Sequence, residues 1–289
     1  MNGAFLIDKE TGCTSRDVVN EIIKKVETSK VGHTGTLDPL ATGVLVVCVG
    51  KATKLVDLLT CEHKEYEAEI TLGIDTDTYD ITGNIIKEET PDVSKEEIIE
   101  VLNSFIGEYE QEVPIYSAVK INGKKLYEYA RNNESVILPK RLVKIDNLEL
   151  ISDIKYINDR VIFKIKTSVS KGTYIRSLVH DIALKLNTIG VMSSLKRTKL
   201  GNFSIEQCKN IEDISLKDIV KVKDLLYGYK FIKVDDMLKK DILNGKIISN
   251  IYDEKKIVFI DNEDLVLALY EVYHKDNTKM KPTIMLGGI

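Results

Sequence analysis

The residues with the clearest capacity for chemistry lie in one stretch, Gly32-His33-Thr34-Gly35-Thr36-Leu37-Asp38-Pro39-Leu40-Ala41-Thr42-Gly43. Its glycines and threonines leave little side chain to pack, so the backbone there is expected to approach something closely. Pro39 disfavours helical geometry at Asp38. The carboxylate therefore sits on an extended loop leading into the apolar run of residues 44–49. Rigid scaffolds often present reactive groups from such loops. A carboxylate so placed serves as a nucleophile, or it caps a turn through its own backbone. The spacing leaves both readings open.

A second candidate stretch is Ser170-Lys171-Gly172-Thr173-Tyr174-Ile175-Arg176, which joins a strand pattern to a helix pattern. Arg176 falls in the first helical turn, where a cation opposes the helix macrodipole. Something must compensate it, and a buried carboxylate is the simplest choice. The alternative is a surface arginine paired with Asp181 or water.

Charge is distributed unevenly. The net charge is −4, yet residues 61–112 carry 16 acidic and 3 basic side chains. Residues 160–202 carry 9 basic side chains and the single acidic Asp181, and residues 114–144 carry 7 basic and 2 acidic. A polyanion responds to a local positive face rather than to the mean. The same lysines also read as ordinary solvated faces.

Several classes are excluded. No run of 18 apolar residues marks a membrane span, and residues 1–10 lack a signal-peptide pattern. Cys13, Cys48, Cys61 and Cys208 are far apart without a CxxC pair, which fits a reducing cytoplasm and no disulfide framework. His33, His63, His180 and His274 lack ligand-like spacing, so no metal is expected. Gly50-Lys51-Ala52 lacks the spacing of a phosphate loop. In Asp75-Thr76-Asp77-Thr78-Tyr79-Asp80 a calcium loop would need Gly where Asp80 stands and Glu where Ile86 stands, so this segment reads as a structural turn.

The elements that must position these residues follow from periodicity. Phe5-Leu6-Ile7 is a strand, and a helix begins at a cap on Thr14 or Ser15 with Val18, Val19, Ile22, Ile23 and Val26 on one face. Residues 44–49 read as a buried strand and 51–59 as a short helix. Tyr66, Ala68, Ile70 and Leu72 alternate with polar residues, as in a half-buried strand. Ser94 and Glu97 form a capping-box pair before Ile98, Ile99, Leu102 and Phe105, with Gly107 as the stop. Asn122-Gly123 marks a tight turn. Residues 142–150 and 161–169 are strands, and Ile175, Leu178, Val179, Ile182 and Leu186 define an amphipathic helix. Beyond Tyr229 the pattern becomes short strands near 231–234, 247–251, 257–260 and 265–272, with turns at 244–245 and 261–264. Helices and strands are interleaved without a βαβ series. The expected class is therefore α+β, with a mixed, largely antiparallel sheet flanked by helices and a small C-terminal β-rich domain.

The stretch from Gly32 through Leu45 strongly resembles the catalytic motif of the TruB family of tRNA pseudouridine synthases. The resemblance continues through Lys54, Tyr66, the segment 72–83, Pro114-Ile115-Tyr116-Ser117-Ala118-Val119-Lys120, Leu126-Tyr127-Glu128-Tyr129-Ala130-Arg131, residues 171–177, and Leu195-Lys196-Arg197 up to Gly201. It covers about residues 1–205, and residues 230–289 resemble a small PUA-like domain. The resemblance implies the pseudouridine synthase fold, with a catalytic domain over 1–229 and an insertion at about 114–142 that closes over RNA. It implies Asp38 as nucleophile, Tyr66 as the ring that stacks on the target base, and Arg176 as the partner of Asp38. Lys171 and Tyr174 would line the pocket and His33 would support the flipped-out RNA loop. Lys54, Lys120, Arg131, Lys196 and Arg197 would contact RNA. Three departures concern RNA rather than chemistry: Glu10 follows Lys9 where the family has proline, Lys196 stands where arginine is common, and Val169 precedes Ser170 where a small cysteine is frequent.

The implied reaction isomerises a uridine in the tRNA T-loop (nucleotide 55 in standard tRNA numbering) after the base leaves its stack. It needs no cofactor and no metal. The expected enzyme is a monomer in the cytoplasm that acts on the tRNA T-arm without a guide RNA. Two other readings are a tRNA-folding chaperone and guide-dependent modification within a larger complex.

Overall fold

A computed structural model describes residues 1–60 and 63–288. Cys61 and the last residue of the C-terminal segment, Ile289, lie outside the described residues. The fold is α+β. Its main sheet runs in the spatial order Gly3–Lys9, Thr42–Val49, Gly190–Leu200, Lys64–Leu72, Arg160–Val169, Lys140–Leu150, Gly107–Glu112. Neighbours along this path are antiparallel except where Gly190–Leu200 meets Thr42–Val49 in parallel, through Lys196 opposite Thr42 and Arg197 opposite Gly43. The sheet is thus mixed and largely antiparallel.

From Val44 on, the strand Thr42–Val49 is apolar because both of its faces are covered. Leu45, Val47 and Val49 belong to the core beneath the helices, while Val44, Val46 and Cys48 belong to a second core on the opposite face. A strand alternates its side chains between faces, so a strand covered twice must be apolar at every position. Lys64–Leu72 differs. Tyr66, Ala68 and Ile70 are buried, but Glu65, Glu67 and Glu69 keep partial access to solvent.

The helix Ser15–Val26 starts at Thr14, whose side chain accepts from the Asp17 amide while Asp17 bonds back. The helix Lys95–Ser104 has the same reciprocal cap through Ser94 and Glu97. Gly107 opens a strand at φ +113° instead of closing that helix. That strand, Gly107–Glu112, is polar and was not signalled by periodicity. The 51–59 helix is a 3-10 turn over Gly50–Leu55 followed by Val56–Thr60. Asn122-Gly123 turns a hairpin between Lys120–Ile121 and Lys124–Lys125, with φ +51° and +82°. The helix Leu126–Arg131 follows it within the inserted segment.

A separate five-stranded sheet begins at Lys230, in the order Lys230–Lys233, Lys256–Ile260, Val266–Val272, Lys279–Met285, Ile248–Ser249. The helix Asp236–Leu243 and the strand Lys279–Met285 are additions to the expected pattern. Val258, Ile260, Val266, Leu269 and Leu286 share a core with Ala4, Leu6, Val44, Val46 and Cys48. This sheet therefore packs on the back of the strand that follows the Asp38 loop.

Candidate active site

The Asp38 loop is shaped by groups distant in sequence. The buried Lys9, 1 % exposed, donates from Nζ to the carbonyls of Ala41 at 2.6 Å, Glu10 at 2.9 Å and Pro39 at 3.4 Å. The Gly12 amide donates to Pro39 O at 2.9 Å. The Leu37 amide donates to Ser15 Oγ at 2.9 Å, at the start of the first helix. From the opposite side Arg197 donates from Nε to Val44 O at 2.8 Å and from Nη2 to Gly35 O at 3.2 Å. Gly43, at φ +99°, sits so close to the Arg197 backbone that a Cβ would lie 2.2 Å from its carbonyl oxygen. Only glycine fits there, so the Thr-Gly ending of the motif is a packing requirement of the parallel strand contact.

Arg176 is 6 % exposed, and each guanidinium nitrogen has a partner. Nε lies 2.9 Å from Asp38 Oδ2. Nη1 donates to Thr78 O at 3.1 Å and stands 3.6 Å from Asp80 Oδ2. Nη2 donates to Tyr116 O at 3.0 Å. The two carboxylates compensate the cation at its unfavourable position in the first helical turn. Asp181 is not its partner. That side chain lies among Tyr109, Glu112 and His180, and burial pushes its carboxyl up to about 6.

Asp38 and Arg176 form part of the wall of a cavity of about 490 Å³, together with Tyr66, Lys171, Tyr174 and Leu195. Tyr66 projects from the central strands, paired with Thr167 on one side and Arg197 on the other. Tyr174 is fixed through its backbone. Its amide donates to Gln111 Oε1 at 2.8 Å and its carbonyl accepts from Gln111 Nε2 at 3.1 Å. A second cavity of about 490 Å³ also borders the Asp38–Arg176 pair, lined by Thr11, Thr82 and Arg131 among others. Tyr116 and Tyr127 of the inserted segment border both cavities.

The remaining predicted residues separate. Arg131 lies at the second cavity, 5.3 Å from the Tyr127 ring centre. Lys120 and Lys196 are exposed and lie outside both linings. His33 is half-buried on the strand Val31–His33, also outside both linings, and burial depresses the basicity of its imidazole. Lys54 points elsewhere, since its Nζ donates to Met285 O at 2.7 Å in the last strand of the C-terminal sheet. Arg197, 1 % exposed, braces the Gly35 loop and also borders the cavity that holds Asp38 and Tyr66.

Periodicity alone missed four groups. Lys9 is one of them, since a lysine inside a strand pattern gives no sign that it is buried. Asp80 sits in the segment expected as a structural turn, and its carboxylate accepts from Thr78 Oγ1, Thr82 N and Thr82 Oγ1 and faces Arg176. Its only signal was the density of Asp and Thr around it. Gln111 lay in a segment without pattern. Tyr116, whose carbonyl serves Arg176, lies in a stretch that carries the family resemblance but no periodicity of its own.

The comparisons with known proteins agree on one family. Residues 23–175 match the N-terminal domain of the TruB family pseudouridylate synthases, and residues 176–233 match the tRNA pseudouridylate synthase B C-terminal domain. The tRNA pseudouridine synthase B of Staphylococcus aureus (strain MSSA476) is 44 % identical over 97 % of this chain and 98 % of its own length. The fold is similar to that in a crystal structure of a Cbf5–Nop10–Gar1 complex, with a TM-score of 0.69 at 26 % identity over 99 % of this chain and 84 % of that one. An archaeal box H/ACA sRNP Nop10–Cbf5 complex aligns with a TM-score of 0.69 at 22 % identity over 99 % of this chain and 86 % of that one. With over half its length matched by the family's N-terminal domain and a relative of 44 % identity along nearly all of it, the chain belongs to the TruB family of pseudouridylate synthases.

Proposed function

We propose that this enzyme isomerises a uridine in the T-loop of tRNA to pseudouridine, with Asp38 as nucleophile on a flipped-out base. The observation that carries the reading is the Arg176–Asp38 pair at 2.9 Å in the wall of a cavity that also presents the Tyr66 ring. The reaction breaks the N1–C1′ bond and forms C5–C1′; N1 gains a proton and C5 loses one. Nothing else enters or leaves. The requirements are a base removed from its stack, an ionised carboxylate and a surface that holds the backbone. Arg176 holds Asp38 in one orientation through the 2.9 Å contact. Tyr66 offers a ring for stacking, which offsets part of the few kcal/mol that unstacking costs. Lys171 and Arg131 supply positive charge at the two cavities.

The inserted segment, about 114–142, closes over the RNA in this reading. His33, Lys120 and Lys196 bind outside the cavities and Tyr174 within the first. Residues 1–229 serve as the catalytic domain, and 230–289 as a PUA-like domain. The enzyme works as a monomer in the cytoplasm without a guide RNA. A relative named as a tRNA pseudouridine synthase that matches nearly end to end supports the substrate class. No described helix is long and apolar enough to cross a membrane.

The test is tritium release from tRNA labelled at uracil C5, using purified protein alone. Wild type is expected to turn over naked tRNA, and Asp38→Asn to fall to background. An unchanged rate in Asp38→Asn removes Asp38 from the chemistry. Turnover only after a guide RNA is added removes the stand-alone reading.

A further inference from the structure

Arg176 and His180 stand one turn apart on the helix Ile175–Lys185, so they share a face. Both meet the same short turn, residues 78–80. Arg176 Nη1 reaches Thr78 O at 3.1 Å and lies 3.6 Å from Asp80 Oδ2. Between those two residues, Tyr79 stacks on His180 with ring centres 4.0 Å apart and planes at 23°. The helix therefore grips this turn twice, by the guanidinium and by the imidazole.

Tyr79 holds a φ of +61°, a conformation that a bulky side chain adopts only when its surroundings impose it. Its carbonyl accepts from the Met192 amide at 3.1 Å, and the Ile81 amide donates to Met192 O at 3.0 Å. The turn is thus pinned to the central strand on one side and stacked on the helix on the other. Burial lowers the basicity of the His180 imidazole, which favours the uncharged ring for stacking. Neither ring lines the cavity around Asp38 and Tyr66.

We propose that Tyr79 and His180 are positioning residues for Arg176. The stack fixes the turn whose Thr78 carbonyl and Asp80 carboxylate aim the guanidinium, and the guanidinium in turn orients Asp38. The proposal rests on the reading of Asp38 and Arg176 as the catalytic pair. Losing the stack should leave tRNA binding intact and slow the chemical step.

The experiment measures kcat and KM for tRNA by tritium release, with thermal unfolding in parallel. His180→Ala should lower kcat about tenfold with KM within twofold. Tyr79→Gly, which removes the ring and tolerates the positive φ, should do the same. The double variant should be no slower than the slower single, because one device has been removed. His180→Phe should recover most of the rate by restoring a ring. If His180→Ala unfolds, Tyr79→Gly and His180→Phe still carry the test. Wild-type kcat in both single variants, a loss in KM alone, or a His180→Phe as slow as His180→Ala overturns the proposal. Asp38→Asn in the same assay separates the two ideas. If it stays active, the catalytic reading fails first and this one with it. If it is dead while the stack variants are fast, only the stack is wrong.

Discussion

The cations around Asp38 and those of the C-terminal sheet have different physical tasks. Lys9, Arg176 and Arg197 are 1 %, 6 % and 1 % exposed. They donate chiefly to backbone carbonyls of segments far away in sequence. The C-terminal lysines instead meet carboxylates at the surface. Lys246 reaches Asp241 at 2.6 Å with side chains 59 % and 37 % exposed, and Lys233 reaches Asp264 at 3.1 Å with 59 % and 49 %. Exposed pairs contribute about 0–1 kcal/mol because water and salt screen them and two long side chains must be ordered. A buried cation cannot be removed so cheaply, because the carbonyls it served are left without partners. The first set fixes the shape of one loop, whereas the second decorates a sheet that its apolar core already holds.

This contrast is open to direct attack. The largest effect is expected for Arg176→Lys, which keeps the charge but loses the planar fork serving Asp38, Thr78 and Tyr116. We expect kcat to fall by about 10²–10³. A rate within threefold of wild type in the tritium assay would mean that charge alone suffices. Next comes Lys9→Met, which leaves buried carbonyls unpaired and should cost about 3 kcal/mol, or roughly 5–10 °C in thermal midpoint. Activity should fall further than stability explains, since the Pro39 and Ala41 carbonyls flank the Asp38 turn.

A smaller effect, with a defined sign, concerns Asp181. Burial raises its carboxyl to about 6 from an ordinary value of 3.8. On acidification the folded state takes up this proton before the unfolded state does, so this group adds stability as pH falls from 7 towards 4. Asp181→Asn should therefore exceed wild type by about 1 kcal/mol at pH 8, allowing for partial exposure, and converge with it near pH 4. Urea unfolding at the two pH values checks this; a difference that grows at low pH contradicts it. The smallest effect is Lys246→Ala, at about 0.5 kcal/mol or less. If it matched Lys9→Met in a thermal melt, the contrast between buried and exposed cations would collapse.

Legibility followed how local each cause was. The reciprocal caps at Thr14–Asp17 and Ser94–Glu97 depend on residues three apart. The second was read directly, and of the first only the start at Thr14 or Ser15 was. The apolar run at 44–49 announced a buried strand, although the reason for its two apolar faces, a second sheet packed behind it, was not local. The strand Gly190–Leu200 was missed although it lies at the centre of the main sheet. Its sequence mixes Ser, Lys, Arg and Thr, and bulges near Met192 and Arg197 break the alternation that a periodicity reading needs.

By itself the sequence determined the class of fold, the principal helices, and the two stretches that hold Asp38 and Arg176. These follow from patterns within a few residues of each other. It also carried the family resemblance, because a long motif with fixed glycines survives as a string. The resemblance already implied that Arg176 meets Asp38; only the tertiary structure decided that Asp80 shares the same guanidinium, that Arg197 braces the Gly35 loop, and that Lys54 reaches the last strand. Each of those depends on which segments the sheet order brings side by side. A hydrogen bond or ion pair acts over about 3 Å, so its partner can be a hundred residues away and leave no trace in local spacing.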